Sequence, residues 1–168
     1  MSIHPTVFIA STAAVMGDVT IGAESSVWYG AVVRGDMAPV MIGSQTNLQD
    51  GTIVHVDDGV PCRVGSRVGV GHRVILHGCI VEDDCLVAMG SVLLNEVHVG
   101  AGSVVAAGAV LPERMQVPPG SLVMGVPARV VRAVDERLAR RIAETWSHYV
   151  GQARAHREGR FPLRRPSA

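Results

Sequence analysis

Three histidines, His55, His72 and His77, fall within 23 consecutive residues of a 168-residue chain that has seven histidines in all. A neutral imidazole binds a divalent metal through one ring nitrogen. Three of them with one position left open is the usual layout of a hydrolytic or hydrating metal site. One surface histidine alone would carry no such message, so the question is whether the fold brings these three together. Cys62, Cys79 and Cys85 form no C-x-x-C pair and read as reduced thiols of a cytoplasmic protein.

The element that must position the histidines is a repeat. An aliphatic side chain recurs every six residues at Ile3, Ile9, Val15, Ile21, Val27 and Val33. It resumes after three extra residues at Ile42, Leu48 and Val54, and after four more at Val64, Val70 and Leu76. One residue is then dropped, and Val81, Val87, Leu93, Val99, Val105 and Leu111 follow. All 18 positions are Ile, Val or Leu. A helix needs a period near 3.6 and a strand one near 2, so a period of six fits neither. It predicts a triangular solenoid with one short strand per face, three faces per coil, and the aliphatic pointing inward. Glycine often follows the aliphatic, as at Gly22, Gly43, Gly65, Gly71 and Gly100, and is expected to permit the corner.

This frame places the histidines. His55 follows Val54 and His77 follows Leu76, inward residues of the same face on adjacent coils. Stacked coils lie ~4.8 Å apart, so both imidazoles can reach one metal at ~2.0–2.1 Å. Arg34 holds the same slot one coil earlier. His72 lies two past Val70 on the neighbouring face, which points about 120° away in a triangular prism. It cannot easily join His55 and His77 of its own chain. It could join those of another chain if three solenoids packed round a three-fold axis. The spacing therefore predicts a site shared between subunits, two ligands from one and the third from the next.

Composition bounds the other classes. The formal net charge is zero and no basic or acidic block stands out, which argues against nucleic acid as a partner. No run of 18 or more apolar residues suggests a membrane span. The opening MSIHPTVFIA lacks the pattern of a signal peptide. Scarce aromatics and abundant Val suit a core of small β-branched side chains. From Pro118 the repeat loosens. Val134, Leu138, Ile142, Trp146, Tyr149 and Ala153 then line one stripe of a helix expected over residues 134–157, with Asp135 and Glu136 in its first turn. That helix is expected to cover a flank or an end of the solenoid, its aromatics serving packing. The chain thus divides into residues 1–132 for the solenoid, 133–158 for the helix and 159–168 for a loose tail.

Four stretches, VVRGD (32–36), IGSQTNLQDGTIVHV (42–56), VGVGHRVILHGC (68–79) and GSLVMGVPARVVR (120–132), resemble in order the motifs of the γ-class carbonic anhydrase family. The resemblance implies an all-β solenoid: a left-handed parallel β-helix of hexapeptide repeats with a C-terminal α-helix, assembled as a homotrimer. The hand rests on the resemblance alone, because the general preference for right-handed crossovers points the other way. The resemblance also makes His55, His72 and His77 the ligands of Zn, or of Fe(II) or Co(II) in some settings. Arg34 and Asp36 match an ion pair that links subunits near the site. Asn47, Gln49 and Asp50 match polar residues that surround a metal-bound water and orient bicarbonate or a ligand histidine. Asp50 shares its slot with His72 one coil away. Tyr149 matches a helix tyrosine near the site and equally fits core packing. The sequence departs from the most active members, which carry an acidic loop after the first ligand and a glutamate beside the RGD-like segment. Here Met37 follows Asp36, and the loop after His55 is the short DDGVP, where Asp57 and Asp58 are substitutes or plain turn residues.

The function this implies is reversible hydration of CO2 to bicarbonate. The metal lowers the pKa of bound water from 15.7 to ~7, the hydroxide attacks CO2, and Gln49 steadies the water or the oxyanion. Two other classes stay open. One is acyl chemistry on coenzyme A, either metal-dependent thioester hydrolysis or acyl transfer, and the short insertions argue against transfer. The other is a non-catalytic assembly subunit whose metal stabilises the trimer.

Overall fold

The computed structural model describes residues 1–163 of the chain. Short parallel strands stack into a left-handed solenoid of about seven turns, and the six-residue frame holds through all three shifts. Ile9, Val27, Leu48, Val70, Val87, Val105 and Val123 pair in one column. Val15, Val33, Val54, Leu76, Leu93 and Leu111 form the second. Ile3, Ile21, Ile42, Val64, Val81, Val99 and Val117 form the third. Val33, Leu48, Val54, Leu76 and Leu93 are fully buried inside the prism, whereas Ile9, in the first coil, has a neighbour on one side only and stays exposed.

The three shifts take different physical forms. The strands Ala14–Ile21 and Val32–Ile42 run round a corner without a break, so the three extra residues before Ile42 are extended strand and not a loop. These strands fuse two faces into an 11-stranded sheet, and the third face is an 8-stranded sheet. The four extra residues near 57–61 form a loop closed by a bridge between Asp57 and Val60. The dropped residue is absorbed at Gly78, a tight left-handed corner with φ +53°.

The glycines after the aliphatics have a different cause from the one expected. A Cβ on Gly43 would lie 2.5 Å from the carbonyl carbon of Gly65 in the next coil. Close approach of coil to coil excludes a side chain there, and the left-handed corners fall on other residues, such as Gln45 and Arg73.

An antiparallel hairpin of Ser121–Gly125 and Ala128–Ala133 ends the solenoid, which the period of six does not foretell. The helix α1 spans Glu136–Arg157. Asp135 lies just outside it as the cap and not in its first turn, because its carboxylate accepts the Leu138 N–H at 2.9 Å. α1 covers a flank: it runs back along the 8-stranded sheet. Ile142 packs with Val104 and Leu122, and further on Tyr149 and His156 meet Trp28. Of the tail expected over 159–168, residues 164–168 lie outside the described residues. Among the described residues, no helix is long and apolar enough to cross a membrane.

Candidate metal centre

One half of the site lies on the 11-stranded sheet. His55 and His77 end the strands Ile53–His55 and Ile75–His77 and are direct register partners. Their ring centroids are 5.1 Å apart, and His55 Nδ1 faces His77 Nε2 at 3.1 Å. Each ring is held from its other nitrogen. His55 Nε2 donates to Asp36 Oδ1 at 3.1 Å, and the Arg34 guanidinium grips the other oxygen of Asp36. Partial desolvation raises the Asp36 carboxyl, but hydrogen bonds from Arg34, its own backbone and His55 outweigh it and hold the group below the usual carboxylate range. His77 Nδ1 meets Asn95 Oδ1 at 2.7 Å, and Asn95 Nδ2 donates to Asp57 Oδ2 at 2.9 Å. A carboxylate only accepts, so Asp57 fixes the Asn95 amide with its oxygen toward His77, and Asn95 in turn fixes the proton of His77 on Nδ1.

The other half lies on the 8-stranded sheet. His72 Nδ1 donates to Asp50 Oδ2 at 2.9 Å, and the two residues occupy matching positions on adjacent coils. Gln49 Nε2 donates to Asn47 Oδ1 at 3.0 Å, both side chains being buried. Gln49, His72 and Tyr149 line a groove of about 730 Å³ between α1 and the sheet, with Met89, Arg141 and His148 on its walls. Tyr149 also stacks edge-on against Trp28, so it serves both the packing and the groove. Burial, and then the negative charge of Asp50, push its phenol pKa up.

The fold therefore brings His55, His77, Asp36 and Arg34 together, and separately His72, Asp50, Gln49, Asn47 and Tyr149. Among the described residues, no three His, Cys, Asp or Glu side chains of one chain are grouped to hold a metal ion. The donor chemistry nonetheless fits a divalent cation. The outer hydrogen bonds leave lone pairs on His55 Nδ1, His77 Nε2 and His72 Nε2, the state in which imidazole coordinates. At a metal–nitrogen length of ~2.05 Å two tetrahedral ligands sit ~3.3 Å apart, close to the 3.1 Å between His55 Nδ1 and His77 Nε2. Asn95 is the contact the sequence did not disclose. Its only signal is its place two residues past the inward Leu93, one coil beyond His77.

No protein-family model matches the chain. Gamma carbonic anhydrase 2, mitochondrial, of Arabidopsis thaliana is 40% identical over 156 residues, which cover 89% of this chain and 56% of that protein. The chain thus spans little more than half the length of this plant relative. A carbonic anhydrase of Geobacillus kaustophilus is 38% identical over 143 residues, 85% of this chain and 79% of that protein. A hexapeptide transferase family protein from Anaplasma phagocytophilum has the same fold, with a TM-score of 0.87 at 35% identity and 92% of both chains covered. Repeat, paired histidines and similarity over nearly the full length agree: the chain belongs to the γ-class carbonic anhydrase family of hexapeptide-repeat, left-handed β-helix proteins.

Proposed function

We propose that the protein catalyses the reversible hydration of CO2 to bicarbonate at a divalent metal, Zn or alternatively Fe(II) or Co(II), held between subunits of a cytoplasmic homotrimer. His55 and His77 of one subunit and His72 of its neighbour are the ligands. The observation that carries this reading is the division of the three histidines into two half-sites, each imidazole already oriented through its outer nitrogen. A three-fold assembly would join one half to the other. The family relatives support the reaction assigned.

A divalent cation held there supplies a Lewis acid that makes water a nucleophile near neutral pH. The chain does the rest. Gln49 spends its amide N–H on Asn47, so its oxygen is left to accept from the reacting water and orient it. Arg34 keeps Asp36 ionised, and Asp36 holds His55 in one tautomer. Asp50 does the same for His72. Tyr149 keeps its phenolic proton and can donate it to an oxygen of bicarbonate.

The test is a CO2-hydration assay on anaerobically purified protein with its metal content measured. Parent protein is expected to carry metal and turn over CO2, and His55→Ala to lose both. If His55→Ala keeps its metal, or if a fully loaded trimer does not hydrate CO2, the reading fails. The groove favours a second reading. The apolar walls of Leu86 and Met89 beside His72 offer an acyl chain a surface that CO2 does not need. Hydrolysis of acyl-CoA thioesters at the same metal would use that surface, and a panel of such thioesters separates the two. A chelator-sensitive trimer inert toward both substrates would instead be a structural subunit.

A further inference from the structure

The loop and coil around His77 contain an arrangement that the proposed reaction does not explain. Asp57 leaves the coil in the short loop after His55, and Asn95 lies one coil beyond His77, yet the two side chains meet over His77. Asp57 is exposed and Asn95 half-buried, so their 2.9 Å contact has to outcompete water on one side. The backbone makes room for it. Gly78 directly follows His77, and a Cβ there would lie 2.5 Å from Asn95 Oδ1 and 2.8 Å from Val60 Cγ1. Gly78 N–H is tied to the carbonyl of His55, and Glu96 N–H to the carbonyl of Gly78, so the corner is pinned to both neighbouring coils.

We infer that Asn95 and Asp57 are positioning residues for metal binding, a relay in which the loop carboxylate orients the Asn95 amide and the amide sets the tautomer and angle of His77. The inference rests on His77 being a ligand. In most metal sites a carboxylate or backbone carbonyl receives the outer N–H of the ligand histidine. Here a neutral amide does so, with the carboxylate one step further out. The negative charge is thereby kept off the imidazole while its direction is preserved. This gives Asp57 a role other than proton transfer or turn formation.

The test is Zn2+ affinity of the metal-free trimer, measured by competition with a chromophoric chelator, together with 15N–1H NMR of the His77 ring. Asn95→Ala is expected to weaken Zn2+ binding about 10–100-fold, in line with other outer-shell partners of ligand histidines, and to let His77 populate both tautomers. Asn95→Asp alone would set two carboxylates against each other and also weaken binding. Asn95→Asp combined with Asp57→Asn exchanges the donor and acceptor and is expected to restore affinity to within about three-fold of the parent. A purely structural role would not produce that restoration. Should Asn95→Ala fold poorly, the comparison of Asn95→Asp with the exchanged pair decides, since both keep polar isosteres. Parent-like affinity and an unchanged His77 tautomer in Asn95→Ala would overturn the inference. Parent-like affinity in His77→Ala would instead overturn the ligand assignment beneath it.

Discussion

A site divided between faces can be rebuilt from two broken subunits. His72→Ala removes the imidazole of the 8-stranded face and leaves His55 and His77 intact. His55→Ala does the reverse. If the site is the proposed one between subunits of a trimer, neither variant has a complete set of three imidazoles, and each alone is expected to lack metal and activity. When equal amounts are unfolded and refolded together, about three quarters of the trimers are mixed, and each mixed ring carries one restored interface of three. About one quarter of all sites should then bind metal and turn over CO2. The assay is metal content and CO2 hydration, with native mass spectrometry to count mixed trimers and an unexchanged mixture as baseline. The size of the recovery follows from the number of restored interfaces per ring, because the two half-sites stand on different faces of the solenoid. Mixed trimers that gain neither metal nor activity would refute the idea that the histidines meet across an interface.

Other outcomes follow from packing and charge. Leu76→Ala empties a fully buried position stacked between Val54 and Leu93, and urea denaturation is expected to show a loss of about 2–5 kcal/mol. Gly43→Ala would press a Cβ onto the backbone of Gly65, which cannot give as a side-chain tip can. Its thermal unfolding should show a loss of about 1–3 kcal/mol, with an unchanged midpoint counting against coil-to-coil approach as the cause. The Leu138 N–H, and more weakly Arg132, hold the Asp135 carboxyl below its usual value. A carboxyl that is more acidic folded than unfolded stabilises the fold above its unfolded pKa of ~3.9 and loses that contribution as pH falls through the depressed folded value. The melting temperature should therefore decline below about pH 4, and less steeply in Asp135→Asn, which keeps the cap without titrating.

The solenoid was legible because each coil repeats the same demand. One inward aliphatic per face must meet its counterpart ~4.8 Å away, so errors of frame would break a column. That is why Ile42 pairs with Ile21 and Val64 with Ile42 despite the intervening insertions. The same logic put His55 beside His77 and His72 beside Asp50. It did not show that the first insertion is strand, since a period counts residues and says nothing of whether extra ones stay extended. The terminal hairpin carries no period of six and left no trace of that kind. Asn95 was missed for a third reason. Periodicity pairs equivalent positions and so sets Leu94 opposite His77, whereas Asn95 lies one residue further on and reaches His77 across the bare corner at Gly78.

The path of α1 bears on how the chain is made. In a solenoid each coil touches its neighbours, so the outermost coil can open without disturbing the rest. α1 removes that independence. It follows every coil in the chain, yet His156 packs on Phe8 and Trp28, and Arg157 donates to the carbonyl of Thr6 at 2.8 Å. Opening the first coil therefore also breaks a contact made by a residue 151 positions later. During synthesis the order is unfavourable. The coils around Phe8 leave the ribosome before α1, and their aromatic flank stays uncovered until α1 emerges. A nascent chain paused or cut before residue 149 would present Phe8 and Trp28 to solvent and to other chains. Covering by α1 thus removes an aggregation hazard that unfinished chains carry.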